Sequence, residues 1–256
     1  MFKSTFTVIL VFTILFVYPV YAQEFVTDGL IGFWPLDSST IDGGTVTDVF
    51  GENDGDAQGN PAKADGVINE GLEFDGAGAR VELPKELMVG LESFTIECWF
   101  NYTDSGNWRW MFGGGPEWNH GVGCCIYSGS NIVRYHLKTD GGEFTDGNGS
   151  TALDPGEWYH IAYTYDGEMV RSYVNGEIDF ERAHQGAVVI DTSVLAIGGG
   201  YFQNNEYFLG LLDEVRVYDR ALEQDEVQKN MEATSNSMAV EPLDKLYETW
   251  GEIKTR

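Results

Sequence analysis

The sequence predicts an all-β domain of two packed antiparallel sheets, and two observations support this fold class. Apolar and polar residues alternate with a period of two, and Gly, Asn and Asp interrupt the alternation about every eight to twelve residues. That rhythm is typical of short antiparallel strands joined by turns. The alternating segments are also too many for one sheet of ordinary width, which favours two sheets packed face to face.

The predicted strands are residues 30–36, 72–74, 80–83, 94–102, 109–113, 124–127, 132–137, 159–165, 169–174, 194–197 and 207–218. Two turns between them are unusually clear. Asp166-Gly167 and Asn175-Gly176 each lie between apolar alternations, and both dipeptides accept the positive φ that tight hairpin turns require. Residues 159–180 are therefore predicted to form a three-stranded meander.

Near the C-terminus the spacing of apolar residues changes from strand-like to helical. Leu222, Val227 and Met231 recur at roughly helical spacing in a segment that opens at Ala221, and this predicts a helix. After a polar stretch, residues 242–250 predict a short second helix with one apolar face. That helix either docks onto the domain or recruits a partner.

Residues 1–22 predict a cleavable signal peptide. Lys3 precedes an apolar run that is short for a bilayer span, and Val20-Tyr21-Ala22 fits the small-x-small pattern of signal peptidase sites. We therefore expect a secreted, periplasmic or cell-surface protein with no membrane insertion after cleavage. The expected organisation is a signal peptide, a β domain and a helical or polar tail, at residues 1–22, 23–227 and 228–256.

The chain is strongly acidic, with a formal net charge of −26 at pH 7. Such a charge repels phosphate backbones and anionic lipid headgroups, so we expect no nucleic acid or membrane surface as partner. The expected partners are instead glycans or extracellular and surface proteins.

The three cysteines allow one intramolecular disulfide in an oxidising compartment. Cys98 is expected to pair with Cys124 or with Cys125, because a bridge between the two neighbours in sequence would be strained.

Six segments in order resemble the laminin-G-like jelly-roll domains of the concanavalin-A-like superfamily: GLIGFWPLD, GLEFDG, SFTIECWF, GEWYHIAYTYDGEMVRSYVNGE, LAIGGG and FLGLLDEVRVYDRALEQDEV. The resemblance covers residues 30–227 and implies a two-sheet jelly-roll sandwich. It does not choose a function, because this architecture hosts lectin-like, adhesive and scaffolding modules as well as enzymes. Function has to be argued from individual sites.

One candidate site is enzymatic. Glu177, Asp179 and Glu181 resemble the Glu-x-Asp-x-Glu signature of retaining β-glucanases that share the superfamily fold. On a regular strand these three side chains face one side. The resemblance implies Glu177 as nucleophile and Glu181 as acid/base, with Asp179 tuning the pair. The motif follows a tight turn, however, where the laminin-G-like pattern has an ordinary polar strand, so we predict a non-catalytic protein and keep hydrolysis as the alternative.

A second candidate site would hold structural Ca²⁺, which prefers several oxygen ligands. Asp48 and Asn53 supply oxygen atoms in a Gly-rich loop, and Asp213 is similar to a position that closes calcium sites in related jelly rolls. The alternative is that these side chains only hydrogen-bond to nearby backbone amides in turns.

A third candidate site would bind a ligand through aromatic loops. Sugar rings stack their apolar faces on aromatic planes, while their hydroxyls bond to Asn and Arg. The candidate residues are Trp108, Arg109, Trp118, Asn119, Tyr201 and Asn204. Regular alternation would send Trp108, Trp110 and Phe112 to one face, and that face is the core in the alternative interpretation.

Together these patterns predict a secreted, non-catalytic recognition module that binds carbohydrate or extracellular surface material. Two other classes stay open. The first is a β-glucanase-like hydrolase that uses Glu177 and Glu181, and the second is a structural or adhesive surface domain.

Overall fold

The computed structural model describes residues 24–104, 106–114, 121–127, 129–191, 195–200 and 206–233, and it confirms the two-sheet antiparallel sandwich. The elements are β1 (Leu30–Trp34), β2 (Ile41–Asp42), β3 (Thr45–Val46), β4 (Gly55–Gln58), β5 (Ala62–Asp65), β6 (Glu70–Asp75), β7 (Arg80–Leu83), β8 (Phe94–Tyr102), β9 (Arg109–Gly114), β10 (Val122–Ile126), β11 (Val133–Thr139), β12 (Gly142–Asn148), β13 (Trp158–Tyr165), β14 (Met169–Val174), β15 (Glu177–Ala183), β16 (Leu195–Ile197), β17 (Leu209–Tyr218) and α1 (Gln224–Met231).

The first sheet has the order β15-β14-β13-β8-β17-β6-β5, with β1 also paired to β17, and the second has the order β12-β11-β10-β9-β16-β7-β4-β3-β2. Strand β17 is the element that joins β1 and β6. Its first half pairs with β6 and its second half pairs with β1. A β-bulge between Asp213 and Arg216 separates the two halves. Glu214 at this bulge has a φ of 54°, a value that is uncommon for a residue with a side chain.

The main core lies between the sheets. Alternate residues of β8 and β13 point inward from the first sheet, including Phe94, Phe100 and Tyr163, and they meet Phe112 and Tyr135 of the second sheet. Each large apolar side chain buried in this way contributes roughly 1.5–3 kcal/mol. The period-two pattern of the sequence therefore corresponds to one buried face on each sheet.

A second apolar cluster covers the outer face of the first sheet. Phe25 and Phe33 from the N-terminal segment pack there with Leu222 and Val227 from the region of α1. Ala233 is buried in the same cluster. The folded domain therefore continues past residue 227, which the sequence predicts as its end.

The predicted strands are confirmed as β1, β6 to β11, β13, β14, β16 and β17, and the three-stranded meander is formed by β13, β14 and β15. In the second turn of this meander, Asn175 and Gly176 both have positive φ, at 51° and 76°. The predicted helix forms over a shorter range, because Glu223 closes a capping box with Glu226 and α1 begins at the next residue. The sequence does not predict β2 to β5 or β12, since these Gly- and Asp-rich segments lack an apolar alternation.

The predicted disulfide is wrong in this structure, in which Cys98, Cys124 and Cys125 are free and buried. Cys98 and Cys124 face each other from opposite sheets in the core. Cys125 lies next to Cys124 on β10 but is absent from the inter-sheet core, so it points to the outer face, away from Cys98.

The predicted signal peptide and the predicted second helix of the tail lie outside the described residues. Within the described part of the chain, no helix has both the length and the apolar character needed to span a bilayer.

A buried guanidinium lies between the first sheet and the two elements that cover it, the N-terminal segment and α1. The Arg216 side chain is 1% exposed, and its guanidinium carbon lies 4.4 Å from the ring centre of Phe25 and 4.5 Å from that of Phe33. Its Nη1 donates to Glu97 at 3.3 Å, and its Nη2 is paired with Glu214. Two carboxylates and two rings therefore replace the water that the charge loses on burial.

Asn230 of α1 ties this buried group to the N-terminal segment. Its Oδ1 accepts a hydrogen bond from the amide of Val26 at 2.7 Å, and its Nδ2 donates to Glu97 and to the Tyr218 hydroxyl, both at 2.9 Å. The Tyr218 hydroxyl in turn donates to the Val26 carbonyl. Helix, strand and N-terminal segment thus share one hydrogen-bond network.

We predict that Asn230→Ala lowers the free energy of unfolding by about 3 kcal/mol, because it leaves buried partners of Asn230 unsatisfied. Urea unfolding followed by tryptophan fluorescence measures the change. The matched control is Lys229→Ala, at an exposed position of the same helix, for which we expect a change within about 0.5 kcal/mol. Equal effects of the two substitutions would contradict the role assigned to the network.

Candidate functional site

The structure describes only part of the predicted ligand-binding set. Trp118, Asn119, Tyr201 and Asn204 lie outside the described residues. Trp108 and Arg109 are described: Arg109 begins β9 in the second sheet, and Trp108 directly precedes it.

A β-bulge decides which side chains of β9 reach the outer face. Cys124 pairs with Phe112 and Cys125 pairs with Trp110, so Met111 is an additional residue in β9. Phe112 therefore points into the core, while Trp110 points to the outer face of the sheet. The expectation that Trp110 and Phe112 share one face is wrong, because it assumes a regular strand.

Trp110 lies flat on the outer face and is only 4% exposed. Glycine at positions 113, 123 and 200 makes room for its ring, since a Cβ atom at Gly113, Gly123 or Gly200 would overlap with it. Its Nε1 donates a hydrogen bond to Glu206 at 2.9 Å. Trp110 is therefore part of the floor of this face and presents little surface to a ligand.

Arg109 is buried and holds two loops together. Its Nη1 donates to the carbonyl of Tyr207 at 3.0 Å and lies 3.4 Å from that of Gly76. Burial lowers the pKa of the guanidinium, although Glu206 opposes the effect. The predicted ligand contact at Arg109 is thus replaced by a structural role.

Trp108 forms an exposed cluster with residues from the next hairpin. Its ring lies 4.7 Å from that of Tyr127, and the guanidinium carbon of Arg134 lies 5.2 Å from the first ring centre and 4.8 Å from the second. All three side chains are half-buried. Asn148 on β12 pairs with Arg134 across the sheet and is exposed. We call Trp108, Tyr127, Arg134 and Asn148 the outer platform.

The sequence does not single out three of the four platform residues. Arg134 stands between two core residues, Val133 and Tyr135, so a cation at an outward position is the signal that was available. Its contacts with Tyr127 and Asn148 depend on the register of two strand pairs, and that register is not readable from spacing alone.

The predicted row of carboxylates on β15 does not form. The register of β14 with β15 shifts between Ser172 and Tyr173, opposite Asp179. Asp179 turns inward and is buried, whereas Glu177 and Glu181 are exposed. The expectation that all three face one side is therefore wrong, because a bulge interrupts the alternation.

Asp179 instead organises the loop that follows β12. Its Oδ1 accepts hydrogen bonds from the amides of Ser150 at 2.8 Å and Thr151 at 2.7 Å, and its Oδ2 accepts one from the Tyr135 hydroxyl at 3.1 Å. Gly149 permits this approach, since a Cβ atom there would overlap with the carboxylate. The exposed Glu181 pairs with Arg171 at 3.1 Å.

Asp48 and Asn53 hold their own loop in shape. Asp48 Oδ1 accepts hydrogen bonds from the amides of Phe33 and Gly51, both at 2.9 Å, and Oδ2 accepts from the Asn53 amide at 3.1 Å. The Asn53 side chain donates to the Ile31 carbonyl at 3.0 Å. These contacts match the turn interpretation of the two residues.

Asp213 lies elsewhere, at the bulge of β17. Its Oδ2 accepts hydrogen bonds from the amides of Val67 and Ile68 at 2.7 and 3.0 Å, while its buried Oδ1 has no hydrogen-bond partner in the described chain. Burial raises the pKa of this carboxyl to about 7, and nearby Asp37 contributes in the same direction. No three His, Cys, Asp or Glu side chains of the described segments are grouped to hold a metal.

Sequence comparison with known proteins identifies one superfamily. A family model described as the concanavalin A-like lectin/glucanases superfamily matches residues 75–228. Pappalysin-1 from Mus musculus and from Homo sapiens are each 25% identical over 201 residues, which is 72% of this chain and 12% of theirs. The chain thus spans 12% of the length of these relatives.

Solved structures share the fold at low sequence identity. Domain 4 of AbnA, a GH43 extracellular arabinanase from Geobacillus stearothermophilus in complex with arabinotriose, is 20% identical with a TM-score of 0.59, over 79% of this chain and 98% of that one. The binding domain of Paraclostridial Mosquitocidal Protein 1 is 15% identical with a TM-score of 0.63, over 80% and 52%. Trypanosoma rangeli sialidase is 20% identical with a TM-score of 0.61, over 83% and 34%.

We predict that Asp179→Ala lowers the free energy of unfolding by about 2–4 kcal/mol, because two amides and a buried hydroxyl lose their acceptor. Glu181→Ala, on the same strand, removes only an exposed ion pair and is expected to cost less than about 1 kcal/mol. Chemical denaturation of both variants tests the difference. A cost at Glu181 equal to that at Asp179 would contradict the structural assignment.

Proposed function

We propose that the chain, which belongs to the concanavalin A-like lectin/glucanases superfamily, is a non-catalytic module that binds carbohydrate through the outer platform. The observation that carries the proposal is the half-exposed pair of rings, Trp108 and Tyr127, beside the guanidinium of Arg134 and the exposed amide of Asn148. Flat apolar surface with a few fixed polar groups is the usual composition of small-molecule sites. Sugar rings match it with apolar faces and hydroxyl rims.

The comparisons make glycans the first ligand class to test. One protein with this fold has a solved structure in complex with arabinotriose, and another is a sialidase. The fold alone does not select between binding and hydrolysis, so that choice depends on the residues.

The described carboxylates favour binding over hydrolysis. Most glycosidases place two carboxyl groups about 5–9.5 Å apart on either side of the scissile bond. The outer platform contains no carboxylate. In the motif that resembles β-glucanases, Asp179 is committed to the loop at Ser150 and Glu181 to Arg171.

We further propose that the module acts outside the cytoplasm, as a secreted, periplasmic or cell-surface protein whose ligands are glycans or other surface material. The signal-like residues 1–22 motivate this proposal. It is also in keeping with the likeness to a domain of an extracellular arabinanase.

We expect Trp108→Ala and Tyr127→Ala each to weaken glycan binding by about tenfold, because each removes one stacking surface. A glycan array selects the ligand, and isothermal titration calorimetry on that ligand measures the change. The matched control is Trp158→Ala, a half-buried tryptophan of the first sheet, which should leave affinity unchanged.

Three results would count against this proposal. Unchanged affinity of both platform variants would move the site elsewhere on the protein. Release of cleaved sugar would favour the hydrolase instead. Absence of binding to every glycan would favour a structural or adhesive surface domain.

We also propose that a structural Ca²⁺ binds at Asp213. The supporting observation is its buried Oδ1 without a hydrogen-bond partner in the described chain, close to the carboxyl of Asp37. Calcium takes six to eight oxygen ligands and accepts backbone carbonyls and water among them. The carboxylate oxygens of Asp48, by contrast, already accept backbone hydrogen bonds.

For this calcium proposal we predict that Ca²⁺ at about 100 times its Kd raises the melting temperature by roughly 5–10 °C, and that a chelator reverses the rise. Asp213→Asn should abolish the shift. Asp48→Asn should lower the starting melting temperature but keep the shift. An unchanged melting temperature of the wild-type protein on addition of calcium would refute the metal site.

A further inference from the structure

We infer that the outer platform selects glycans that carry a carboxylate, and that Arg134 is the residue that recognises it. This inference rests on the proposed carbohydrate function and adds the chemical class of the ligand. The observation behind it is the state of the Arg134 guanidinium, which the protein orients but which pairs with no carboxylate of the described segments.

Two kinds of contact fix the orientation of this guanidinium. Its Nε donates a hydrogen bond to the Thr145 carbonyl at 2.6 Å. Its guanidinium carbon lies over the rings of Trp108 and Tyr127. The terminal nitrogens Nη1 and Nη2 have no partner within the described residues, and together they form the fork that binds a carboxylate through two parallel hydrogen bonds.

The contrast with the other described arginines makes this arrangement unusual. The chain has 41 acidic and 15 basic residues, so carboxylate partners are abundant. Five of the six other described arginines have carboxylate partners: Arg80, Arg171, Arg182, Arg216 and Arg220. Arg134 forms no ion pair within the described part of the chain. Its charge therefore remains available to a ligand.

The carboxylate that Arg134 influences is already occupied. The pKa of Asp146 is lowered chiefly by its hydrogen bond with Arg182, and Arg134 makes only a smaller contribution. Asp146 thus does not close the Arg134 fork. Asn148, opposite Arg134, adds an amide that donates to a carboxylate or accepts from a hydroxyl.

The acidity of the whole chain limits how much charge the ligand carries. A net charge of −26 repels polyanions at long range. At physiological salt this repulsion is screened over about 8 Å, whereas a bidentate contact at hydrogen-bond distance is not. The ligand that fits both conditions is a glycan with isolated carboxylates, such as a uronic acid or sialic acid unit. Densely sulfated chains do not fit.

The test compares pairs of ligands that differ only in the carboxylate. A galacturonic acid oligosaccharide and a sialylated oligosaccharide are each titrated against their carboxyl-reduced counterparts by calorimetry, with the full chain. We expect the wild type to bind at least one acidic form about tenfold more tightly than its reduced form. Arg134→Lys, which keeps the charge but loses the fork, should reduce that preference to about threefold or less.

Two further variants keep the result interpretable. Arg134→Gln should remove the preference altogether, and a melting curve of each variant shows whether it is folded. Arg171→Lys, at a surface arginine of the first sheet, should keep the wild-type preference.

The outcomes separate this inference from the proposed function. Equal binding of acidic and reduced forms by the wild type overturns the carboxylate selectivity but leaves a neutral-glycan module. A preference that survives in both Arg134 variants overturns the assignment to Arg134. If the wild type binds neither the acidic nor the reduced form of either oligosaccharide, and the glycan array gives no binding signal, the carbohydrate function itself is overturned.

Discussion

The buried charge of Arg216 is the constraint on which most of the first sheet depends. A guanidinium removed from water must be surrounded by anions and polarisable groups, and removing one such partner typically costs about 3–5 kcal/mol. Glu97 comes from the neighbouring strand and Glu214 from the bulge of the same strand. Phe25 and Phe33 cover the charge from the N-terminal segment. Sheet, bulge and covering segment are consequently specified together. His160 lies beside the group but stays neutral, because burial lowers its pKa to about 3.

Bulges decide where the functional side chains lie. In β17, the bulge lets β1 and β6 share one strand and leaves Asp213 against the amides of the turn between β5 and β6. In β9, a bulge separates the faces of Trp110 and Phe112. In β15, another turns Asp179 away from its exposed neighbours. Each bulge changes the side-chain direction by one residue, and this single change decides whether a site forms.

The bulges also explain why the sequence predicts some parts of the molecule and not others. Period-two alternation identifies the long strands, since their buried faces are uniformly apolar, and Asn175-Gly176 marks a hairpin because few residues accept its backbone angles. Alternation does not hold at bulges, so a prediction that assumes a regular strand places Asp179 on the wrong face of β15. It also fails for Arg134, whose partners are distant in sequence or lie on other strands. The expected disulfide rested on the cysteine count, which does not reveal that all three thiols are free and buried in the fold.

The outer platform lies on strands β11 and β12 and directly beside the ends of β9 and β10, and this position bears on how it would bind. A ligand binds more tightly when the protein side chains it contacts are already ordered, because little further conformational entropy is then lost on binding. Arg134 meets this condition, since its backbone lies in β11, its Nε donates to the Thr145 carbonyl and its guanidinium carbon lies over two rings. Only the terminal nitrogens are left without partners among the described residues. A preorganised fork of this kind discriminates by geometry as well as by charge, and this is why lysine, with the same charge, is not an equivalent residue at this position.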